Sequence, residues 1–500
     1  MAIPEAAART SESKTASAAA ALPNRWRALA LISLATLMVA MDTAIVAVAL
    51  PSAQRGLGIS DSARQWVLTA YTLSYGGLLL LGGRLADRLG HRRTLLIGAI
   101  GFVCSSAVSG AAVSGPMLFA GRALQGGFGA FLVPSTRSLL VLIFHDPKER
   151  ARALGIFTAV LIGGAVFGFI LSGVITNYLD WRWTLYVNVP VAVVVAVGAL
   201  RLLLDFPGDP SVRIDLPGVL LGTGGMVALV FGLSQAATAG WDSFEVAGPL
   251  IAATGLLAAF VLVEARVGSP LLPLRVLLDR NRAGAFITLG LNSFSNFGML
   301  LILTYELQVV LHASPLATGI ALVPWAIAAS IGAALVGPRL MNRLPARYLL
   351  TPGLLLLAAG LVLLSQLTPD TAYAPLILVA ELVLGFGAGL NGTPAIFLAL
   401  SGTPTIDTGV TSAMSSTSNQ IGASIGTAAL STIAASATTS YLASHAAVTA
   451  TSAIVRGFTT ATTVGALVLL AGALLVGFLV NADPRPDRDS VPPKLLERQI

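Results

Sequence analysis

Long apolar blocks separated by short, arginine-bearing connections dominate the chain from about residue 28 to 481. They fall near 28–50, 66–84, 94–113, 117–142, 153–175, 183–204 and 216–235, then near 245–263, 283–311, 316–338, 348–367, 374–400, 408–436 and 459–481. A helix rising 1.5 Å per residue needs roughly 20 apolar residues to cross the hydrocarbon of a bilayer, and each block supplies about that many. The pattern therefore predicts an all-α polytopic membrane protein with about fourteen transmembrane helices. Between the blocks no polar stretch is long enough to fold as a separate soluble domain. The first block is too long for the core of a signal peptide and lacks a clear cleavage site, so it reads as a retained anchor.

The connections set the orientation. With a cytoplasmic N-terminus, the even-numbered connections and both tails lie inside and hold 24 of the 30 Lys and Arg residues. Arg55, Arg64, Arg182 and Arg456 fall outside, while Arg122 and Arg137 fall within a block. Such a skew is what the positive-inside rule demands of an even number of crossings. The expected location is the inner (cytoplasmic) membrane, multi-pass, with both termini cytoplasmic.

Composition narrows the function classes. Of 500 residues, 55% are hydrophobic and only 11% charged, too few to cover a soluble surface. The net charge of +7 could suggest nucleic acid, but the basic residues are dealt out between apolar blocks and form no patch. One cysteine, Cys104, permits no intrachain disulfide, and the four histidines are scattered, so neither a metal nor another cofactor is expected. No G-x-x-x-x-G-K-[ST] occurs to bind ATP, and no Ser/His or His/Asp cluster suggests an intramembrane enzyme.

An internal duplication is visible. Gly83-Arg84-Leu85-Ala86-Asp87-Arg88-Leu89-Gly90-His91-Arg92 returns as Pro338-Arg339-Leu340-Met341-Asn342-Arg343-Leu344-Pro345-Ala346-Arg347, with three arginines in register. Gly127-Phe128-Gly129-Ala130 returns as Gly385-Phe386-Gly387-Ala388 at nearly the same offset. Two matches at a shared offset indicate a repeated half, as in many transporters. The expected organisation is a disordered cytoplasmic tail over 1–27, a six-helix bundle over 28–204 and a two-helix insert with linkers over 205–282. A second six-helix bundle over 283–481 and a tail over 482–500 complete it.

The segment Gly82–Arg93 resembles the signature loop of the major facilitator superfamily. Three further stretches resemble its fourteen-span drug:proton antiporter branch. These are Met41-Asp42-Thr43-Ala44-Ile45-Val46-Ala47-Val48-Ala49-Leu50-Pro51 in the first span, Arg122-Ala123-Leu124-Gln125-Gly126-Gly127-Phe128-Gly129-Ala130 in the fourth, and Trp181-Arg182-Trp183 with Asn188-Val189-Pro190 at the start of the sixth. The resemblance implies two six-helix bundles plus two additional spans around a mid-membrane cavity. It also implies a conformational-gating role for the connection bearing Gly83, Asp87, Arg88, Gly90 and Arg92. The fifth span departs from the family pattern. In Gly163-Gly164-Ala165-Val166-Phe167-Gly168-Phe169-Ile170-Leu171-Ser172-Gly173, Phe169 stands where a proline is expected and Ser172 replaces a glycine.

Ionisable groups within spans are the remaining chemistry. Charge at the bilayer centre costs roughly 2.5–3.5 kcal/mol, so each group needs a partner or a watery cavity. Asp42 lies about 21 Å along a span running outward and Arg122 about 8 Å along one running inward, at similar depth. An Asp42–Arg122 pair, direct or water-bridged, fits these depths. It serves either as a proton-coupling site or as a fixed bridge that orients helices. Glu306 and Glu381, near the outer side of the second half, are further proton-coupling candidates, with exposure at the interface as the alternative. Gln125, Asn419 and Gln420 are candidates for a cavity wall, and for the Ser/Thr-rich stretch over 401–440 that holds the last two, bonds between helices are the alternative. Arg137 is expected to snorkel to headgroups, and Trp66, Trp181 and Trp183 to anchor at the interface.

The function this implies is secondary active export of small amphipathic organic compounds by proton antiport with alternating access. The alternative is proton-coupled import of a nutrient or siderophore-like solute, which the altered fifth span leaves open. The expected partners are a small-molecule substrate, protons and membrane lipids, with no nucleic acid, and the expected state is a monomer.

Overall fold

A computed structural model describes residues 24–144, 146–205, 207–210, 214–239, 243–267, 278–341, 343–401, 408–445 and 449–481. Residues 1–23 of the expected tail over 1–27, the tail over 482–500, Arg275 and Asn342 lie outside the described residues.

Within them the chain is a succession of helices, with no strand among the described residues. We number them α1 (Arg25–Leu57), α2 (Trp66–Leu89), α3 (His91–Gly110), α4 (Gly115–Ile143), α5 (Pro147–Tyr178), α6 (Trp183–Leu202), α7 (Leu216–Ala239) and α8 (Phe244–Glu264). There follow α9 (Arg280–Val310), α10 (Pro315–Met341), α11 (Arg347–Leu364), α12 (Tyr373–Leu400), α13 (Thr408–Ser444) and α14 (Ala450–Leu479). Twelve of these are long and apolar enough to cross a membrane by themselves. The other two, α2 with 24 residues and α5 with 32, occupy the second and fifth expected positions. Arg25, Trp26 and Arg27 begin α1, so the helix takes in three residues expected in the tail.

Hydrocarbon offers no partner to a free backbone group, so helix ends are closed by side chains or by a turn. Asp146, Asp279, Ser314 and Thr449 each accept from the backbone N–H three residues on, capping α5, α9, α10 and α14. Pro147 and Pro315 follow two of these caps, where the missing N–H costs nothing. Gly58 closes α1 with φ of 61°, a left-handed turn that glycine adopts without strain.

One apolar core lies wholly between Ala28 and Leu203. A second is drawn mainly from Ala285 to Val480 and takes in one end of α1 and of α2, together with Phe169, Trp181 and Leu185. The helices that carry the duplicated tetrapeptides make similar close approaches, through Gly126, just before the first copy, and Gly385, which opens the second. A Cβ at Gly126 of α4 would lie 2.2 Å from the Tyr71 carbonyl oxygen of α2. One at Gly385 of α12 would lie 2.2 Å from the Trp325 carbonyl oxygen of α10. Glycine there lets the fourth helix of each half touch the backbone of the second.

The halves meet along two seams. In one, α5 crosses α10 backbone to backbone, with Gly319 against the Phe169 carbonyl and Gly173 against Pro315 and Leu316. In the other, α2 meets α13, where Thr72 Oγ1 and Ser424 Oγ share a hydrogen bond of 2.8 Å and Ser431 Oγ donates to Gln65 Oε1 at 3.1 Å. The first seam lies toward the face that carries the α1–α2 connection, and the second runs from that face past Gly76 and Gln420. A polar cluster closes that face. The Tyr305 hydroxyl donates to Gln54 Oε1, Gln54 Nε2 donates to Asp61 at 2.7 Å, and Arg64 pairs with Asp61 at 3.2 Å. The Arg64 guanidinium also sits 3.8 Å from the centre of the Tyr305 ring, and Gln308 Nε2 donates to the Val48 carbonyl at 2.8 Å.

The α7–α8 hairpin packs α7 against α2 and α13, alongside the second seam. A small core of Leu73, Met226, Val230 and Ala428 holds it there. Trp181 departs from its expected interfacial role. It is 6% exposed and its indole nitrogen would lie 2.8 Å from a Cβ at Gly56, so it is a packing residue. Trp183 is 53% exposed, as an anchor would be. Arg137 does not simply reach outward. Its Nη1 donates to Ser416 Oγ of α13 at 3.3 Å, linking the two halves.

Candidate functional site

The expected Asp42–Arg122 pair is direct. Arg122 Nη1 lies 2.6 Å from Asp42 Oδ2, and neither side chain has any exposed surface. Asp42 comes from the middle of α1, and Arg122 from α4 two turns after that helix begins. Each is a single charged residue in a long apolar run, so burial of the run carries the charge inward. A lone buried charge is costly, whereas a hydrogen-bonded pair offsets its desolvation by mutual attraction.

Neighbouring residues complete the shell. Gln125 Nε2 donates to Asp42 Oδ1 at 2.8 Å and to Ser106 Oγ at 2.9 Å, while its Oε1 accepts from Arg122 Nη1 at 2.6 Å. Asn188 Nδ2 donates to Asp42 Oδ1 at 2.6 Å, and Arg122 Nε donates to the Val67 carbonyl at 3.1 Å. The guanidinium lies 4.4 Å from the centre of the Tyr71 ring. Five helices, α1, α2, α3, α4 and α6, thus converge on one ion pair. Among the described residues Arg122 Nη2, the Tyr71 hydroxyl and Asn188 Oδ1 have no hydrogen-bond partner. Buried polar atoms of this kind are ordinarily met by water.

Gln125 therefore has a different place from the expected one. It is fully buried within the network, bonded to Asp42, Arg122 and Ser106. An amide three residues after an arginine on a helix lies on the same face, and that spacing directs it onto the shared carboxylate. Asn188, Ser106 and Tyr71 were not singled out as site residues. Asn188 stood in a quoted motif, and its position at the head of an apolar helix was the available signal.

Glu306 and Glu381 are both fully buried, so neither reaches the interface. Glu381 Oε2 accepts from the Tyr373 hydroxyl at 3.0 Å. Neither Glu306 oxygen has a partner among the described residues. Glu306 opens a five-residue π-helical segment that follows Tyr305 of the closing cluster, a distortion often found at functional positions. The Asp42 network and these acids lie in different halves and do not form one site. Asn419 Oδ1 accepts from Ser293 Oγ at 2.9 Å, joining α13 to α9. It borders an amide cluster in which Asn292 Nδ2 donates to Asn391 Oδ1 at 2.8 Å and Asn296 Nδ2 to Asn292 Oδ1 at 2.7 Å. Gln420 faces α2, where its Cβ meets Gly76.

The expected gating connection is mostly helical. α2 continues to Leu89 and α3 begins at His91, leaving only Gly90, with φ of 95°, as the corner. Glycine fits there because other residues strain at positive φ. Gly83 has open space around it; the close approach belongs to Gly82, whose Cβ would fall 2.1 Å from the Ala130 carbonyl oxygen. Arg92 donates to the carbonyls of Ala199 at 3.1 Å and Leu200 at 2.6 Å, capping the end of α6. Asp87 and Arg88 are exposed. The Asp87 carbonyl accepts from the Asp209 N–H at 2.8 Å, tying the corner to the segment after α6.

In the fifth helix, Phe169 is 1% exposed and packs edge-on to Trp325 of α10, with ring centres 6.2 Å apart. Ser172 Oγ donates to the Ile45 carbonyl at 2.5 Å. With no proline inside it, α5 runs unbroken from Pro147 to Tyr178.

Comparison with known proteins agrees with this architecture. Residues 32–427 match the model of the Major Facilitator Superfamily. The puromycin resistance protein pur8 of Streptomyces alboniger is 42% identical over 464 residues, covering 92% of each chain. The cephamycin export protein CmcT of Amycolatopsis lactamdurans is 39% identical, covering 87% of this chain and 89% of that one. Among solved structures, a bacterial homologue of the human lysosomal transporter Spinster, in an inward-facing and unoccupied conformation, aligns with a TM-score of 0.65 at 16% identity. That alignment covers 91% of this chain and 97% of the other. Fold and sequence therefore agree, and the chain belongs to the Major Facilitator Superfamily of transporters.

Proposed function

We propose that the protein exports small amphipathic organic compounds, antibiotics or other toxic metabolites, from the cell in exchange for protons. The relatives named for puromycin resistance and cephamycin export support the outward direction and the substrate class. The fully buried Asp42–Arg122 pair is the observation that carries the coupling. A proton arriving at Asp42 removes the charge that Arg122 balances and loosens five converging helices at once. In this reading the bundles over 28–204 and 283–481 rock about a central cavity, with the two-helix insert over 205–282 beside them. The protein sits in the inner membrane with both termini cytoplasmic, and one chain supplies both halves, so a monomer suffices. The closed face then points outward, and Glu306 and Glu381 are the second half's proton carriers.

Inverted membrane vesicles test this directly. Energised vesicles should accumulate an exported compound, and an uncoupler should collapse the uptake. Accumulation that survives the uncoupler, or solute driven the opposite way, would contradict the proposal.

Three variants probe the parts. Glutamine reproduces the shape of a protonated glutamate without its titration. Glu306→Gln and Glu381→Gln should each fold normally and bind substrate, yet lose proton-driven export by about tenfold or more. Normal export from either would remove that acid from coupling. Asp87→Asn should slow turnover by about tenfold with substrate affinity unchanged, because the exposed corner acts only as the halves move. Equilibrium binding together with initial transport rates separates the two effects, and a large affinity loss with normal cycling would refute a gating role.

A further inference from the structure

Beside the second seam lies a recess of about 110 Å³ that neither the ion pair nor the amide cluster uses. Its walls come from α2, α7, α8 and α13, with Leu73, Met226, Leu257, Phe260, Met414 and Ile421 as the apolar lining. Thr72, Thr223, Gln420 and Ser424 border it. Three of these are already satisfied, Thr72 and Ser424 by each other at 2.8 Å and Thr223 by the Gly77 carbonyl at 3.1 Å, and Thr417 Oγ1 on the same wall has no partner among the described residues. The lining is otherwise apolar, so the space suits an apolar group with at most one polar contact. A cavity of about 150 Å³ takes one benzene ring, so this smaller recess suits a short alkyl segment and not a whole drug-sized molecule.

The recess is not isolated. Val219 and Thr223 also wall an adjoining hollow of about 480 Å³ along α7 and α8. Ile421 also walls one of about 540 Å³ between α7, α9, α13 and α14. Both neighbours are lined by side chains such as Leu220, Phe231, Phe286 and Val468, which suit hydrocarbon. The α7–α8 hairpin thus covers the seam without filling it. A membrane-dissolved molecule has an apolar route past α7 to the line where the halves separate. Met226 and Met414 give that route adaptable walls.

We propose that this recess is a lateral reception site for the apolar portion of an amphipathic solute entering from the bilayer, ahead of the central cavity. The proposal rests on the export reading above and assigns the insert a function of its own. Residues 218–226 lie at the start of α7 and 257–260 near the end of α8, while Thr72–Gly77 lie in the first half of α2, so the recess runs from the middle of the bundle into the half nearer the N-terminus of α1. Under the proposed topology that is the cytoplasmic leaflet, from which an exporter would collect its cargo.

Photolabelling of the intact protein in nanodiscs tests the site without any gradient, so its outcome is separate from that of the efflux assay. One arm uses decylamine carrying a terminal alkyl diazirine. The other uses a phosphatidylglycerol with the same group on its acyl chain. The amine probe should mark 219–226, 257–260 and 414–424, and excess unlabelled decylamine should displace it. Met226→Trp, which fills the recess, should cut that labelling about tenfold. Leu257→Phe serves the same purpose should the tryptophan variant not fold. Labelling by the lipid probe that decylamine leaves unchanged would make the recess a resident lipid site and overturn the proposal. Amine labelling spread evenly over lipid-facing helices would overturn it as well.

Discussion

Asp42→Asn is expected to abolish proton-driven export and to destabilise the protein by about 3–5 kcal/mol, because it leaves a buried guanidinium without its counter-charge. Arg122 has no exposed surface, and its Nη2 already lacks a partner among the described residues, so no water-facing position relieves it. Stability loss alone would lower transport, and the double variant Asp42→Asn/Arg122→Gln separates the two effects. Removing both charges should restore most of the thermal stability, since a buried pair contributes little net stability against neutral groups. Gln125 and Asn188 can still bridge an amide at position 42. Export should remain absent, because no titrating group replaces the carboxylate. The checks are melting temperature in detergent and uncoupler-sensitive uptake in inverted vesicles. Export at the normal rate from the double variant would make the pair a fixed structural bridge.

The helical architecture was legible because lipid as solvent makes hydrophobic blocks the whole signal. Twelve spans stand on length and apolarity alone, and the blocks at α2 and α5 became helices of 24 and 32 residues. Ends were less legible. α14 starts at Ala450, nine residues before its hydrophobic block, since the polar Thr449–Arg456 stretch is helical through a Thr449 cap and not through apolarity. The Asp42–Arg122 contact was legible from depth, because two opposite charges at one level in hydrocarbon must find each other. Gln125 was misplaced for a matching reason. Depth places an amide in the bilayer, but helix rotation decides whether it faces a cavity or a carboxylate. The closing cluster of Gln54, Asp61, Arg64 and Tyr305 was not legible, as those residues read as ordinary connection polarity until α1 and α9 were brought side by side. The same holds for Gly83 and Gly82, adjacent in sequence and about 100° apart around a helix, of which only Gly82 touches α4.

Gly319→Ala should prevent full closure of the face that carries the α1–α2 connection and reduce export about tenfold, although alanine is the smallest side chain available. Its Cβ would lie 2.3 Å from the Phe169 carbonyl oxygen and 3.1 Å from the carbon it is bonded to. Both are backbone atoms, so no rotamer relieves the clash. Ordinary contact lies near 3.5 Å, so α5 and α10 must separate by about 1 Å. The opposing surface yields little. Gly173 already meets the Pro315 carbonyl and the Leu316 Cα, and Phe169 is wedged against Trp325. With no proline inside it, α5 has no break at which to bend away, so the displacement passes to the whole helix. Overpacking of this kind costs about 1–3 kcal/mol, which shifts a two-state equilibrium about 5- to 150-fold toward the conformation with the seam open. Spin labels at Ser60→Cys and Thr439→Cys, in a Cys104→Ser background, should report a longer distance across the closed face. Gly163→Ala, on the same helix at a position where a Cβ meets nothing within 4 Å, should leave both distance and export unchanged. An unaltered distance in Gly319→Ala would mean that the α5–α10 contact does not hold this face shut.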